Sequence, residues 1–348
     1  MARFTPEDDQ IRDVFFAPAA WALHRRRRAI DDDQLRVIAA LAREAWNARG
    51  PVDAVVSTDG DSDRPLLLGV EPATGADAPC RVRFFGGDLV GMVVAGAIGA
   101  DAVVVPVSCN DAIDRGPLRG VVEPKTRIGS PYVVAGMQQA VASGRRAVCG
   151  WEANGGFLLG SDLRRDGRIL PALPTRDAFL PLLSVLISAA AEKTSVSALF
   201  DRLPGRFSRA ALLRNFPRPA SLRIVARFTP EDDQIRDVFF RAGGVGVRTA
   251  GGGEAAAPPE LAAALEGIRA GLAGFFTAEL GFGPVDRLNY TDGVRVHFAG
   301  GDVAHVRPSG NADELRIYAV ADTQARADAI VRAGVAEPDG ILRRMERA

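Results

Sequence analysis

The amino-acid sequence predicts an α/β protein that ends in a smaller α+β module, and three observations carry the prediction. Apolar strands alternate with amphipathic helices from Ile30 to Glu192. A proline- and glycine-bearing stretch, Leu203 to Pro219, breaks that pattern. Beyond Ser221 short strands crowd together and one helix, Thr323 to Ala333, closes the series. With 348 residues, 47% hydrophobic and 25% charged, the chain is long enough for two or three domains, each with its own core.

Taken in order, the first feature is a repeat: Ala2–Phe16 reads ARFTPEDDQIRDVFF, and Ala226–Phe240 reads the same letters. Repeat architectures show several diverged units at a period of about 20 to 50 residues. Two identical copies fit recent duplication or faulty gene assembly better. The second copy has a context, since Ser221–Phe228 alternates like a strand and Thr229-Pro230-Glu231 reads as a helix start. The first has lost the upstream Leu222–Ile224 half of that strand, so residues 1–28 are expected to be poorly ordered or loosely packed.

Next, Asp32 to Ala48 carries apolar residues at Leu35, Ile38, Leu41 and Trp46 behind aspartate caps, an amphipathic helix. Asp53–Thr58 and Leu66–Val70 read as strands around a polar turn. Asp88–Ile98 reads as a small-residue helix, Ala102–Val107 as a strand, and Tyr132–Ser143 as a helix. Ala147–Trp151 follows as a strand and Ala178–Glu192 as an apolar helix, which together predict a mostly parallel sheet. Gly243–Pro259 reads as a flexible insertion. Strands resume at Val285, Gly293, Asp302 and Leu315.

Composition removes several function classes. Lys+Arg and Asp+Glu are 43 each, without the electrostatic footprint of a nucleic-acid binder. The run Arg25–Arg28 is short and neighbours Asp31–Asp33. Cys80, Cys109 and Cys149 lack metal-ligand spacing, and three histidines do not complete a zinc site. The apolar stretch Ala178–Ala191 is shorter than the ~20 residues of a membrane span. These features predict a cytoplasmic chain with neither nucleic acid nor membrane as partner.

Four loops carry candidate chemistry. In Asp59-Gly60-Asp61-Ser62-Asp63-Arg64, alternate carboxylates put hard oxygens on one side of a turn, as Mg²⁺ requires, and Gly60 permits a sharp bend. Arg64 beside them suits a phosphate sharing the site; the alternative is a solvated acidic turn. In Arg307-Pro308-Ser309-Gly310-Asn311…Arg316, backbone N–H groups with Ser309 and Asn311 can ring a phosphate while Arg307 and Arg316 supply charge, although Ser-Gly-Asn is also an ordinary turn. Glu152 and Asn154, in Gly150-Trp-Glu-Ala-Asn-Gly-Gly156, can reach adjacent sugar hydroxyls, or form a plain glycine turn. Lys125-Thr-Arg127-Ile-Gly129 adds cations at a strand-to-helix junction.

In that order, Asp59-Gly-Asp-Ser-Asp-Arg64, Thr126-Arg-Ile-Gly129, Gly150-Trp-Glu-Ala-Asn-Gly155 and Arg307-Pro-Ser-Gly-Asn311 resemble the α-D-phosphohexomutase superfamily, the phosphomannomutase/phosphoglucomutase group, over about Ala29 to Arg332. The resemblance implies three-layer α/β domains followed by a smaller α+β domain. It divides the chain into a duplicated segment 1–28, a remnant of the second domain with the metal loop at 29–85, the third domain at 86–203, a linker at 204–220 and the C-terminal phosphate-binding domain at 221–340. It implies Mg²⁺ on Asp59, Asp61 and Asp63, with Arg64 as the catalytic residue. Substrate binding falls to Arg127, Glu152, Asn154, Arg307, Ser309, Asn311 and Arg316.

The activity implied is an intramolecular phosphotransfer, an isomerase reaction of carbohydrate metabolism, that interconverts hexose 1- and 6-phosphates of mannose or glucose through a phosphoserine. The family's phosphoserine loop reads roughly Thr-Ala-Ser-His-Asn-Pro; nothing before Asp59 resembles it, and Ser57 is the only serine there. The alternative expectation is therefore a remnant that binds Mg²⁺ and sugar phosphate without turnover.

Overall fold

Residues 15–16, 32–73, 79–310 and 312–348 are described by the computed structural model. The chain divides into two compact units, 1–204 and 205–348. The expected poor order of residues 1–28 falls outside the described residues, except for β1 (Phe15–Phe16), which pairs parallel with Val55 and Val56.

The first unit is layered by the two-residue period of its strands. Helix α1 (Asp32–Arg49) precedes a sheet of order β1-β2-β3-β4, in which β2 is Ala54–Thr58, β3 Pro65–Pro72 and β4 Cys80–Phe85. Leu66, Leu68 and Val70 turn toward α1 and pack with Ile38, Ala42 and Val55. The alternate residues Ala54, Val56 and Leu67 turn the other way. There they meet α2 (Gly87–Ile98), α4 (Phe179–Ala191) and α5 (Val196–Asp201).

Those helices also cover a second sheet, of order β10-β7-β6-β5: β5 Ala102–Val104, β6 Val148–Trp151, β7 Phe157–Leu159 and β10 Leu173–Asp177. Val103, Cys149, Trp151 and Phe157 face them. Ala102, Val104, Val148 and Leu158 face α3 (Ser130–Ala142) on the far side. A small hairpin, β8 (Leu163–Arg165) and β9 (Arg168–Leu170), stands beside this sheet. Truncating a fully buried leucine such as Leu67 or Leu68 to alanine would cost roughly 2–5 kcal/mol.

The sheets are mixed rather than mostly parallel. Pairs β1–β2 and β5–β6 are parallel, whereas β2–β3, β3–β4, β6–β7 and β7–β10 are antiparallel. The reason is loop length: the short turns after Thr58 and Trp151 can only return the chain antiparallel.

The second unit is one antiparallel sheet, β11-β18-β17-β16-β15-β12-β13-β14. Its strands are β11 (Phe207–Arg214), β12 (Ile235–Arg241), β13 (Gly244–Thr249), β14 (Glu254–Ala256), β15 (Val285–Asn289), β16 (Val294–Phe298), β17 (Val303–Pro308) and β18 (Glu314–Ala321). Helices α6 (Arg218–Arg227), α7 (Pro259–Ala273), α8 (Gln324–Val335) and α9 (Ile341–Arg347) share one core with it, through Ile224, Leu265, Ile330 and Leu342 against Val296, Val306 and Ile317.

Three expectations are overturned here. The stretch 204–220 is not a linker: it supplies β11, paired along its whole length with β18, and the start of α6. Its prolines flank these elements, with Pro219 in the first helical turn. The segment after Ser221 is not a strand leading into a helix but the reverse. Ala220, Ile224 and Phe228 recur at helical spacing into the core; Pro230 bars further helix, and the Asp232 carboxylate accepts the Gln234 N–H before β12 begins. Gly243–Pro259 is not a loose insertion either, since β13 and β14 extend the sheet from it. Among the described residues, no helix is long and apolar enough to cross a membrane.

Candidate functional site

The acidic loop is the tip of the β2–β3 hairpin, closed below by the Thr58–Pro65 pair and by the Asp59 N–H donating to the Arg64 carbonyl, 3.2 Å. The left-handed residue is Ser62, with φ of 60°, rather than Gly60. That bend lets the Ser62 N–H reach the Asp59 carbonyl at 3.1 Å. Asp59 is buried, and its Oδ1 accepts the N–H groups of Asp63 and Arg64 at 3.2 and 3.1 Å, while its Oδ2 accepts Arg64 Nε. Burial alone would raise its pKa, but the Arg64 backbone N–H and guanidinium outweigh burial and hold the carboxyl below the usual range. Asp63 shifts the other way: burial leads, Asp59 and Asp61 add to it, and the opposing charge of Arg176 does not cancel them.

One oxygen from each of Asp59, Asp61 and Asp63 lies within 4.8 Å of the others. Two oxygens on opposite sides of Mg²⁺ stand about 4 Å apart, at ~2.1 Å each. Three hard carboxylate donors suit such an ion, and a small side-chain movement would close their spacing to that limit; Asp61 is the exposed member of the trio.

The Glu152 loop joins β6 to β7 and meets this hairpin. The Gly155 N–H donates to the Glu152 carbonyl at 2.8 Å, and φ of 94° places Gly155 in the left-handed region. Gly155 packs against Pro65 and against Gly87 at the start of α2; a Cβ on Gly87 would stand 2.2 Å from the Gly155 nitrogen. The exit of the acidic hairpin, the α2 N-terminus and the Glu152 loop thus meet at one close contact. Glu152 is buried, and its Oε2 accepts Ser130 Oγ at 2.8 Å and Arg176 Nη1 at 3.5 Å. Arg176 Nη2 also pairs with Asp63 Oδ2. Asn154 is exposed, but its Oδ1 already accepts the Gly156 N–H at 3.0 Å, which leaves its amide N–H₂ for a ligand. Arg127, three residues before Ser130, is exposed with its guanidinium 5.7 Å from the Tyr132 ring centre.

In the second unit, β17 and β18 place Arg307 and Arg316 directly opposite one another. Like charges so placed repel. Asp292 Oδ1, 3.4 Å from Arg307 Nε, and Glu314, 2.7 Å from Arg316 Nη2, offset that repulsion. Ser309 is buried at the turn; its N–H donates to the Glu314 carbonyl at 2.9 Å and its Oγ accepts Arg316 Nη2 at 3.0 Å. Gly293 (φ 82°) makes room, because a Cβ there would lie 2.7 Å from Arg307 Cβ. Asn311 lies outside the described residues.

Residues 87–207 match the family described as phosphoglucomutase/phosphomannomutase, alpha/beta/alpha domain III, and residues 253–336 match the C-terminal domain of the same group. The chain belongs to the α-D-phosphohexomutase superfamily. A phosphomannomutase of Sinorhizobium fredii is 34% identical over 309 residues, covering 88% of this chain and 54% of the relative. One of Salmonella muenchen is 33% identical over 302 residues, covering 86% and 51%. The chain thus spans about half the length of the curated relatives it matches. The crystal structure of a phosphoglucomutase/phosphomannomutase family protein from Burkholderia thailandensis shares the fold, with a TM-score of 0.50, 15% identity, and coverage of 88% of this chain and 51% of that one.

Within this chain, the first unit brings Asp59, Asp61, Asp63, Arg64 and Glu152 into one connected set, and the second gathers Arg307, Ser309 and Arg316. Sequence reasoning missed Arg176 and Ser130, which tie Glu152 down, and Arg218, whose Nη1 donates to the Gly310 carbonyl at 3.1 Å. Ser130 follows Gly129 at a helix start and was findable; nothing local marks Arg176.

Proposed function

We propose that this chain carries the divalent-cation and sugar-phosphate-binding part of a phosphohexomutase, which interconverts hexose 1-phosphate and hexose 6-phosphate. The observation that supports it most directly is the acidic hairpin joined to Glu152 through Arg176. Both curated relatives are named phosphomannomutases, which favours mannose phosphates.

In this reading Asp59, Asp61 and Asp63 hold Mg²⁺, which supplies positive charge against the phosphoryl oxygens when bound. Arg64 orients the hairpin carboxylates and lends its charge to the same oxygens, positioning and electrostatics being the main contributions in phosphoryl transfer. Glu152, fixed by Ser130, accepts sugar hydroxyls, while the Asn154 amide donates to a neighbouring one. Arg307, Ser309, Asn311 and Arg316 bind a phosphate, and Arg127 adds a cation facing the substrate.

Turnover also needs the seryl oxygen that carries the phosphoryl group, and no stretch of the 348 residues matches Thr-Ala-Ser-His-Asn-Pro. That observation favours a second reading for the chain on its own, namely binding without turnover. A coupled assay with mannose 1-phosphate and catalytic hexose 1,6-bisphosphate separates the two. We expect no turnover above background; turnover in a preparation free of contaminating mutase would refute the binding-only reading. Calorimetry should find mannose 1-phosphate affinity that falls about tenfold or more in Arg307→Ala, the loss of one charge-assisted contact. Equal affinities would remove Arg307 from the site.

A further inference from the structure

Arg176 touches both the acidic hairpin and the Glu152 loop. It leaves β10 where the pairing with β7 shifts register between Leu173 and Asp177. Its aliphatic stem fills the space beside Gly156, where a Cβ would stand 2.4 Å from Arg176 Cδ. One terminal nitrogen pairs with Asp63 Oδ2, and the other stands 3.5 Å from Glu152 Oε2. Glu152 Oε2 is held more tightly by Ser130 Oγ, at 2.8 Å. The guanidinium fork is thus shared unequally between Asp63 and Glu152.

We propose that Arg176 is a positioning residue that couples the two ligand sites: it competes with a divalent cation for Asp63, and when displaced it engages Glu152. This rests on reading Asp59, Asp61 and Asp63 as the cation site. A dication against Asp63 repels the guanidinium and takes its share of the carboxylate. Moving about 0.6 Å toward Glu152 would bring Arg176 Nη1 to ordinary hydrogen-bond distance. Glu152 then holds its rotamer with two donors instead of one and a distant second. Cation binding therefore strengthens sugar-phosphate binding, and by linkage the reverse. Arginine suits the role because its planar fork offers a separate terminal nitrogen to each carboxylate, where an ammonium has only one.

The test uses the full chain, titrated with Mn²⁺ alone and with α-D-mannose 1-phosphate in the presence and absence of Mg²⁺. In Arg176→Gln, Mn²⁺ should bind roughly three- to tenfold tighter, because a competing cation has left Asp63. Mannose 1-phosphate should bind about tenfold weaker, and Mg²⁺ should no longer improve it. Shifts of opposite sign distinguish this role from a structural one, which would weaken both ligands together. Arg176→Lys keeps charge and stem, so its melting temperature should match the wild type while the Mg²⁺ effect on sugar-phosphate affinity is lost. Weakened binding of both ligands in Arg176→Gln, unchanged Mn²⁺ affinity, or a wild-type Mg²⁺ effect in Arg176→Lys would each overturn the coupling. Absence of Mn²⁺ binding by the wild type would overturn the cation-site reading itself, and this proposal with it.

Discussion

Replacing His305 by glutamine should flatten the acid limb of the second unit's stability. His305 is fully buried in β17, with Nε2 2.5 Å from the Asp292 carbonyl, so Nε2 carries the proton and the ring is neutral. Its Nδ1 is buried without a partner. Burial, followed by the charge of Arg295, pushes the pKa down to about 3, against the pull of the Asp292 carbonyl and with a smaller push from Arg307. In the unfolded chain the imidazole takes its proton near pH 6.5. Between those values the unfolded state binds one proton more than the folded state, so stability falls as pH falls. At ~1.36 kcal/mol per pH unit, the loss is about 2 kcal/mol by pH 5 and roughly 4 kcal/mol by pH 3. Hydrogen exchange at β16–β18 amides, in wild type and His305→Gln from pH 7.5 to 4.5, isolates this unit. Whatever the offset at neutral pH, the gap should change by about 2 kcal/mol in favour of the variant at pH 5. Parallel profiles would refute the argument.

Three further outcomes follow from the first unit. Gly87→Ala forces a Cβ against the backbone of Gly155, where no rotamer change helps; a loss of ~1–3 kcal/mol should lower the melting temperature by several degrees, and an unchanged melt would refute the contact. Asp59→Ala removes the acceptor of two backbone N–H groups and of Arg64, so Mn²⁺ affinity should drop at least about tenfold, with ~1–3 kcal/mol of stability, read by calorimetry and thermal melting. Asp101 accepts the N–H groups of Arg146 and Ala147, which, against the opposing effect of burial, hold its carboxyl below the usual range. Its stabilisation is therefore complete above the unfolded aspartate pKa of ~3.9 and lost as pH falls through the lower folded value. The deficit of Asp101→Ala in urea titrations should accordingly shrink at acid pH.

What could be read from the sequence was what is local. Ala54–Thr58 announces itself by Ala-Val-Val and a β-branched end, and Asp59, Asp61 and Asp63 lie on one hairpin tip, so spacing alone brings their oxygens together. The helix Asp32–Arg49 follows from its apolar period. Arg176 could not be read, because its meaning comes from a strand remote in sequence packed beside both Asp63 and Glu152. Where structure and sequence pattern part, one cause recurs: proline and glycine mark the edges of elements here, not looseness. Pro204 and Pro217 bound β11, Pro219 starts α6, and the glycines near 243 and 251 turn the β12–β13–β14 meander. The identical hexapeptides ending at Phe16 and Phe240 make the point most sharply. One contributes Phe15–Phe16 to a parallel pair, the other a strand with antiparallel neighbours on both sides.

Setting Arg307 and Arg316 across one rung of a ladder gives the second unit an unusual relation to its solvent. Most ion-paired hairpins loosen as electrolyte is added, because attraction is what ions mask. Here masking also weakens a mutual push between two guanidiniums held nearly out of water. Multivalent anions such as phosphate should therefore raise the melting point of this unit more than chloride at matched ionic strength, so that a simple choice of buffer would report on whether the turn is engaged.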